Sequence, residues 1–212
     1  MKKHYRDKQS LLAVAASLAM VASPCVFAGS PALTGLVAEA NDAESAFTAP
    51  AGMSRLKGTR ISVQTMFAQS FADFEVDSSQ TTVPGGNPDK GSEPMIIPSI
   101  YYVRELNDKW HAGLSLTVPS GFGSNYGSKW SGRYETVDFS LVYVALTPAV
   151  SYRVNDKLAL GGAIGFNYTS ESSEVKIPQP FQEGDGKITS DLDGLGINVT
   201  LSLLYEFTPQ TR

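Results

Sequence analysis

The chain has 212 residues, 42% hydrophobic and 18% charged, too apolar for a disordered polymer and too polar for a bundle of membrane helices. Its single cysteine and two histidines exclude a disulfide framework, a thiolate metal site and an all-histidine metal site, and no cofactor is expected. The formal net charge of -4 argues against a nucleic-acid partner.

Residues 1–28 read as a secretory signal peptide. Lys2, Lys3, Arg6 and Lys8 form a positive start, Leu11 to Ala22 is apolar, and Val26-Phe27-Ala28 ends in small residues at cleavage spacing. The apolar run is too short to span a membrane. Cys25 raises a lipoprotein alternative, but Pro24 before it is wrong for lipid attachment. Removing four basic residues and Asp7 from totals of 17 and 21 leaves 13 basic and 20 acidic residues, a net charge of -7.

Residues 29–57 are rich in small side chains and show no strand period. From Gly58 onward the pattern alternates with a period of two, the mark of strands with unlike faces. Leu195, Ile197, Val199, Leu201, Leu203, Tyr205 and Phe207 fall on one face, against Gly196, Asn198, Thr200, Ser202 and Glu206, with Leu204 the exception. Six strands are expected, over about 59–75, 96–106, 109–119, 137–154, 157–175 and 192–207.

Alternation alone would also fit a soluble sandwich. Three features favour a transmembrane barrel. The polar face carries small residues, and aromatics (Trp110, Tyr152, Tyr168, Tyr205, Phe207) stand near strand ends, where interface girdles lie. Connections also alternate in length. Asn107-Asp108, Asn155-Asp156 and Thr208-Pro209 read as tight turns, whereas 77–94, 121–135 and 176–191 read as long polar loops. Outer-membrane barrels have short periplasmic turns and longer outside loops. Such barrels start at about eight strands, so six imply a fragment or a truncated reading frame.

The fourth strand sets Phe139, Leu141 and Tyr143 on the same face as Thr147, Ser151 and Arg153, which suits an apolar pocket with a few polar groups or packing against a plug. Other signals are weak. Asp185-Gly186-Lys187-Ile188 mimics part of a calcium loop, but Phe181 and Leu192 occupy positions that need acids. Glycines at 161, 162 and 165 lie inside a strand pattern and open no phosphate-binding helix. His111 has no nucleophile or acid at a recognisable spacing and reads as a lumen-facing polar residue, so no catalytic site is expected.

From Ala38 to Arg212 the chain resembles the FadL-type outer-membrane transporters of long-chain fatty acids and other hydrophobic compounds. The resemblance is carried by three stretches: Ala38 to Ala43 with Pro50 to Leu56; Pro119 to Gly123 with Tyr126, Trp130, Gly132 and Arg133; and Thr147 to Leu158. It implies an all-β transmembrane antiparallel barrel of about fourteen strands, of which residues 58–212 supply six, with residues 29–57 as an N-terminal hatch. It further implies passive transport of fatty acids or hydrocarbons in the bacterial outer membrane, by a monomer surrounded by lipid and lipopolysaccharide.

In that family the ligand leaves sideways at a kink in the third strand, which here carries Pro119, Gly121 and Gly123. Phe122, Tyr126, Trp130, Phe139, Leu141 and Tyr143 are the implied ligand-binding residues; Tyr126 and Trp130 could instead anchor their loop at the lipid interface. One departure stands in the hatch, where Ala49 precedes Pro50-Ala51 in place of the family's usual Asn. The competing readings are a structural or adhesive barrel with surface-binding loops, a lipid-acting barrel enzyme, and a non-functional truncated fragment.

Overall fold

In a computed structural model the described residues are 40–208, apart from 70–73, 78, 89–90, 92–93, 180 and 182. The expected signal peptide, the first part of the 29–57 segment and Pro209 of the third turn lie outside them. Six strands, β1 (Thr59–Ala68), β2 (Met95–Glu105), β3 (Trp110–Asn125), β4 (Asp138–Arg153), β5 (Leu158–Pro178) and β6 (Asp185–Tyr205), form one sheet in sequence order. Every neighbouring pair is antiparallel.

Two tight turns have one chemistry. The Asn107 side-chain oxygen accepts from the amides of Lys109 and Trp110, each at 3.0 Å. Asn155 accepts in the same way from Lys157 and Leu158, each at 2.9 Å. An asparagine that satisfies two turn donors lets the chain reverse without unpaired backbone, which keeps these connections short.

The two faces of the sheet differ sharply. Outward on β6, Leu195 is 89% and Leu201 84% exposed. The outward apolar run from Leu195 to Tyr205 spans roughly 33 Å along the strand, or about 23 Å in height at a barrel tilt near 45°. That height matches the lipid-facing band of an outer-membrane barrel, about 25 Å. At the turn end Trp110 packs on Tyr152 with ring centroids 4.7 Å apart, and both belong to the outward face.

The inner face is covered by the segment 40–57. It holds a short helix α1 (Ser45–Thr48) and a 3-10 helix (Pro50–Arg55), with Pro50 at its first position, where a missing N–H costs nothing. Ala43, Ala46, Met53 and Leu56 bury themselves against Tyr101, Val103, Ala149 and Ala163. The core is therefore the contact between this segment and the sheet.

Three boundaries differ from the sequence reading. β1 stops at Ala68, and Phe74 to Val76 belong to no strand. β3 continues to Asn125, through Pro119, Gly121 and Gly123 and well into the expected loop. The proline is tolerated because it sits at a bulge, where its missing N–H breaks no regular ladder bond. The expected loop over 176–191 is a paired ribbon, with β5 and β6 in register as far as Pro178 opposite Asp185. Its outer face is polar and its inner face keeps only Ile177 and Ile188 as apolar strand residues, too few to show an alternating run, yet the ladder satisfies the backbone all the same.

Candidate functional site

The floor of the site is the docked segment. Ala51 N donates to Ser202 Oγ at 2.7 Å, and Ser202 is the register partner of Gly161. A Cβ on Gly161 would collide with the backbone of Pro50 and Ala51; one on Gly113 would lie 2.5 Å from Met53 Sδ and 2.8 Å from Ala46 Cβ. Some of the small inward residues on the strands thus make room for the segment's backbone.

Its far end is tied by polar contacts. Arg153 donates to the Ser54 carbonyl, Arg55 pairs with Glu206, and Lys57 Nζ lies 2.9 Å from Glu105. His111, fully buried, donates from Nε2 to the Leu56 carbonyl at 2.9 Å. Its ring is covered by the segment rather than facing an open lumen, because the backbone of Leu56 supplies the acceptor that water would otherwise provide. Ala49 keeps its amide on the Ser45 carbonyl at 3.1 Å.

Glu44 is buried in this contact, and burial, with Asp42 adding, raises its carboxyl above the ordinary carboxylate range. An acid with a raised folded pKa binds protons more tightly when docked, so docking strengthens as pH falls through that raised value and levels off below the ordinary one. Glu44→Gln is expected to flatten this dependence and to slow proteolysis of the segment at neutral pH. Digestion rates of the two chains measured between pH 4 and pH 8 check it; parallel profiles would remove Glu44 as the cause.

Above the floor lies an apolar patch. The register of β3 on β4 runs Thr117 to Ala145, then Ser120 to Tyr143, so Val118 and Pro119 together oppose Val144. This bulge reverses the facing of β3. Below it His111, Gly113, Ser115 and Thr117 point inward; above it Ser120, Phe122 and Ser124 do. Phe122 is thereby placed opposite Leu141, with its ring centroid 6.0 Å from that of Phe139, and Tyr143 stands on the same inner face. Gly121 and Gly123 pair regularly with Val142 and Ser140, so the irregularity belongs to 118–119 alone.

Tyr126 and Trp130 form a second aromatic group with Phe74, which the sequence reading did not single out. Tyr126, the first residue after β3, stands four residues beyond Phe122, roughly 13 Å further along the chain. Its ring lies 5.2 Å from both Phe74 and Trp130. Trp130 Nε1 donates to the Thr136 carbonyl at 2.8 Å, which fixes the indole in the loop. Phe74 was missed because it fell inside the strand expected over 59–75, whereas β1 ends at Ala68 and leaves it in the connection.

Beside this group Arg133 ties three connections together. Its Nε lies 2.5 Å from Asp185 Oδ2, its Nη1 donates to the carbonyls of Pro84 (2.5 Å) and Trp130 (3.1 Å), and Tyr134 OH donates to Asp185 Oδ1 at 2.7 Å. The residues that mimicked part of a calcium loop are occupied here: Asp185 serves as the arginine's partner. Among the described residues no cluster of three or more metal-ligating side chains occurs.

The wall beside the patch is split. β2 and β3 pair from Glu105–His111 only as far as Ile100–Leu116, while β2 continues to Met95 on the β1 side. Among the described residues the upper halves of β2 and β3 therefore share no ladder, and a seam opens at the height of Pro119 and Phe122. Such a seam leaves strand edges that only a special function or a covering group makes tolerable in a membrane.

The family described as outer membrane protein transport protein (OMPP1/FadL/TodX) matches residues 10–212. The chain belongs to this family. A protein of Neisseria meningitidis serogroup B assigned to the outer membrane is 32% identical over 93 residues, covering 42% of this chain and 20% of the relative. The crystal structure of a Pseudomonas aeruginosa FadL homologue superposes with a TM-score of 0.64 at 20% identity, over 79% of this chain and 45% of that one. The Ralstonia pickettii toluene transporter TbuX gives 0.58 at 21% identity, over 78% and 49%. These structures share the fold: an all-β outer-membrane barrel. The chain spans about half the length of the solved structures it matches. This FadL-family chain is a protein of the bacterial outer membrane, and the apolar outer band of its strands meets lipid there.

Proposed function

We propose that this FadL-family chain forms the part of a passive channel that receives small hydrophobic molecules and releases them sideways. The ligand meets Phe74, Tyr126 and Trp130 outside, moves inward to Phe122, Phe139, Leu141 and Tyr143, and rests above the docked segment, which acts as the hatch. It leaves between β2 and β3. The single observation that carries this reading is the seam itself, opening beside the inward-facing Phe122. A water channel gains nothing from phenyl rings in its lumen; an apolar permeant does. Fatty acids and monoaromatic hydrocarbons are the substrate classes proposed, by a monomer that has no enzymatic step.

Phe122→Asp is the test. In a host lacking its own channel for such compounds, the full chain is expected to support uptake of radiolabelled toluene or oleate. The aspartate should cut that uptake about tenfold or more, since an unpaired carboxylate is a poor neighbour for an apolar ligand. Equal surface levels of the two proteins, measured by protease-accessible label, make the comparison fair. Undiminished uptake would place the route elsewhere.

A second reading draws on the ribbon formed by 170–178 and 185–193, which stands beyond the outward apolar band with polar side chains on its outer face. It would serve a surface-binding barrel. Shortening the ribbon should then abolish partner binding and leave uptake untouched.

A further inference from the structure

We propose that Met95 is the stopper of the seam between β2 and β3, seated on Gly121, and that its side chain sets the width available to a departing ligand. This rests on the transport reading above. Met95 is the outermost residue of β2, held by register to Ala68 of β1, and it belongs to the inward face with Ile97 and Ser99. Gly121 lies on β3 just above the bulge, where that strand no longer pairs with β2. A Cβ on Gly121 would lie 2.6 Å from Met95 Cε and 3.8 Å from its Sδ, with the Leu141 carbonyl at 3.7 Å. The thioether therefore crosses from the inward face of β2 to the outward side of Gly121, the partner of outward-facing Val142, and fills the space that the missing side chain leaves.

Both residue types suit the task. Glycine allows close approach at a point where no ladder holds the strands together. Methionine has three rotatable bonds and a polarisable sulfur, so it fills an irregular gap, yields to an incoming group, and makes favourable contacts with aromatic rings. A branched or aromatic side chain at 95 would fill the same gap stiffly. The neighbouring inner patch of Phe122 and Phe139 places an apolar ligand against the seam, so the methionine is the last group it displaces.

The test compares initial uptake of radiolabelled toluene and of the wider naphthalene by cells carrying the full chain. Met95→Ala is expected to raise uptake several-fold, more for naphthalene than for toluene. Met95→Phe is expected to lower both, naphthalene by about tenfold, as overpacking of a confined site does. Gly121→Ala should alter uptake in the parent chain but not beside Met95→Ala, because the methionine is the group that the added methyl meets first; that non-additivity reports direct contact. Uptake by the parent chain that ignores both Met95 substitutions, or a Gly121→Ala effect that persists without Met95, would overturn the stopper alone. Absence of uptake in the parent chain would overturn the transport reading and the stopper with it.

Discussion

Gly161→Val is expected to expel the N-terminal segment from the inner face of the sheet, whereas Gly162→Val, one residue along, leaves it in place. The two positions differ in what a side chain would meet. At Gly161 the added atoms run into the backbone of Pro50 and Ala51. Backbone inside a 3-10 helix cannot swing aside as a flexible side chain does, and this helix is held at its other end by Arg153, Arg55 and His111. At Gly162 a Cβ finds only Leu201 Cδ2 at 3.7 Å and the Thr200 carbonyl at 3.8 Å, which is ordinary contact on the outward face.

Overpacking of this kind costs about 1–3 kcal/mol. Loss of the Ala51–Ser202 hydrogen bond adds about 1 kcal/mol. Together these shift docking by one to three orders of magnitude. Tryptic cleavage after Arg55 and Lys57, followed in intact outer membranes, reads the effect. Rapid cleavage in Gly161→Val with parental rates in Gly162→Val is the expected pattern. Equal protection of both would mean the segment is held by its polar end alone.

Replacement of Arg133 by Met is expected to loosen three outer connections at once. The guanidinium is nearly buried, spans Pro84, Trp130 and Asp185, and stacks 4.6 Å over the Tyr134 ring. The Asp185 carboxylate raises its pKa above the ordinary value for arginine, so the side chain is charged at every accessible pH. Removing it leaves the carboxylate with the Tyr134 hydroxyl and without its counter-charge, and takes the guanidinium donor from the Pro84 carbonyl. Hydrogen exchange over 81–87, 126–137 and 183–188 should accelerate in all three stretches by about tenfold or more, the size of losing one charge-assisted contact. Arg133→Lys should recover only part of the protection, because an ammonium cannot reproduce the planar fork. Acceleration confined to 126–137 would show that the arginine serves its own loop only.

Much of the fold was legible in the residues. Alternation with a period of two located all six strands and assigned the outward face of β6, because strand facing is a local property. The two Asn-Asp turns were legible for the same reason. Position 122 was singled out by resemblance, yet its facing could not be read. Counted from Leu114 and Leu116, Phe122 falls on the lipid side; only the extra residue at 118–119 turns it to the lumen. Pro119 and its glycines signalled an irregularity without saying which residue would carry it. The ribbon over 176–191 was missed because Ile177 and Ile188 are too few apolar positions to mark strands among so many polar residues, while its backbone pairing persists.

The sequence by itself determined a chain of strands with one face for lipid and one for an interior, joined by tight turns at one end and longer connections at the other. These properties arise among residues a few places apart, where composition and spacing act directly. Tertiary structure decided the rest: that Gly161 admits the backbone of Pro50 and Ala51, that Arg133 joins three connections, and that Met95 reaches across to Gly121. Each depends on groups brought together from far along the chain, as the Ala51–Ser202 bond does across 151 residues. No local period encodes such a meeting; it follows from the register of the strands and the shape of the interior they enclose.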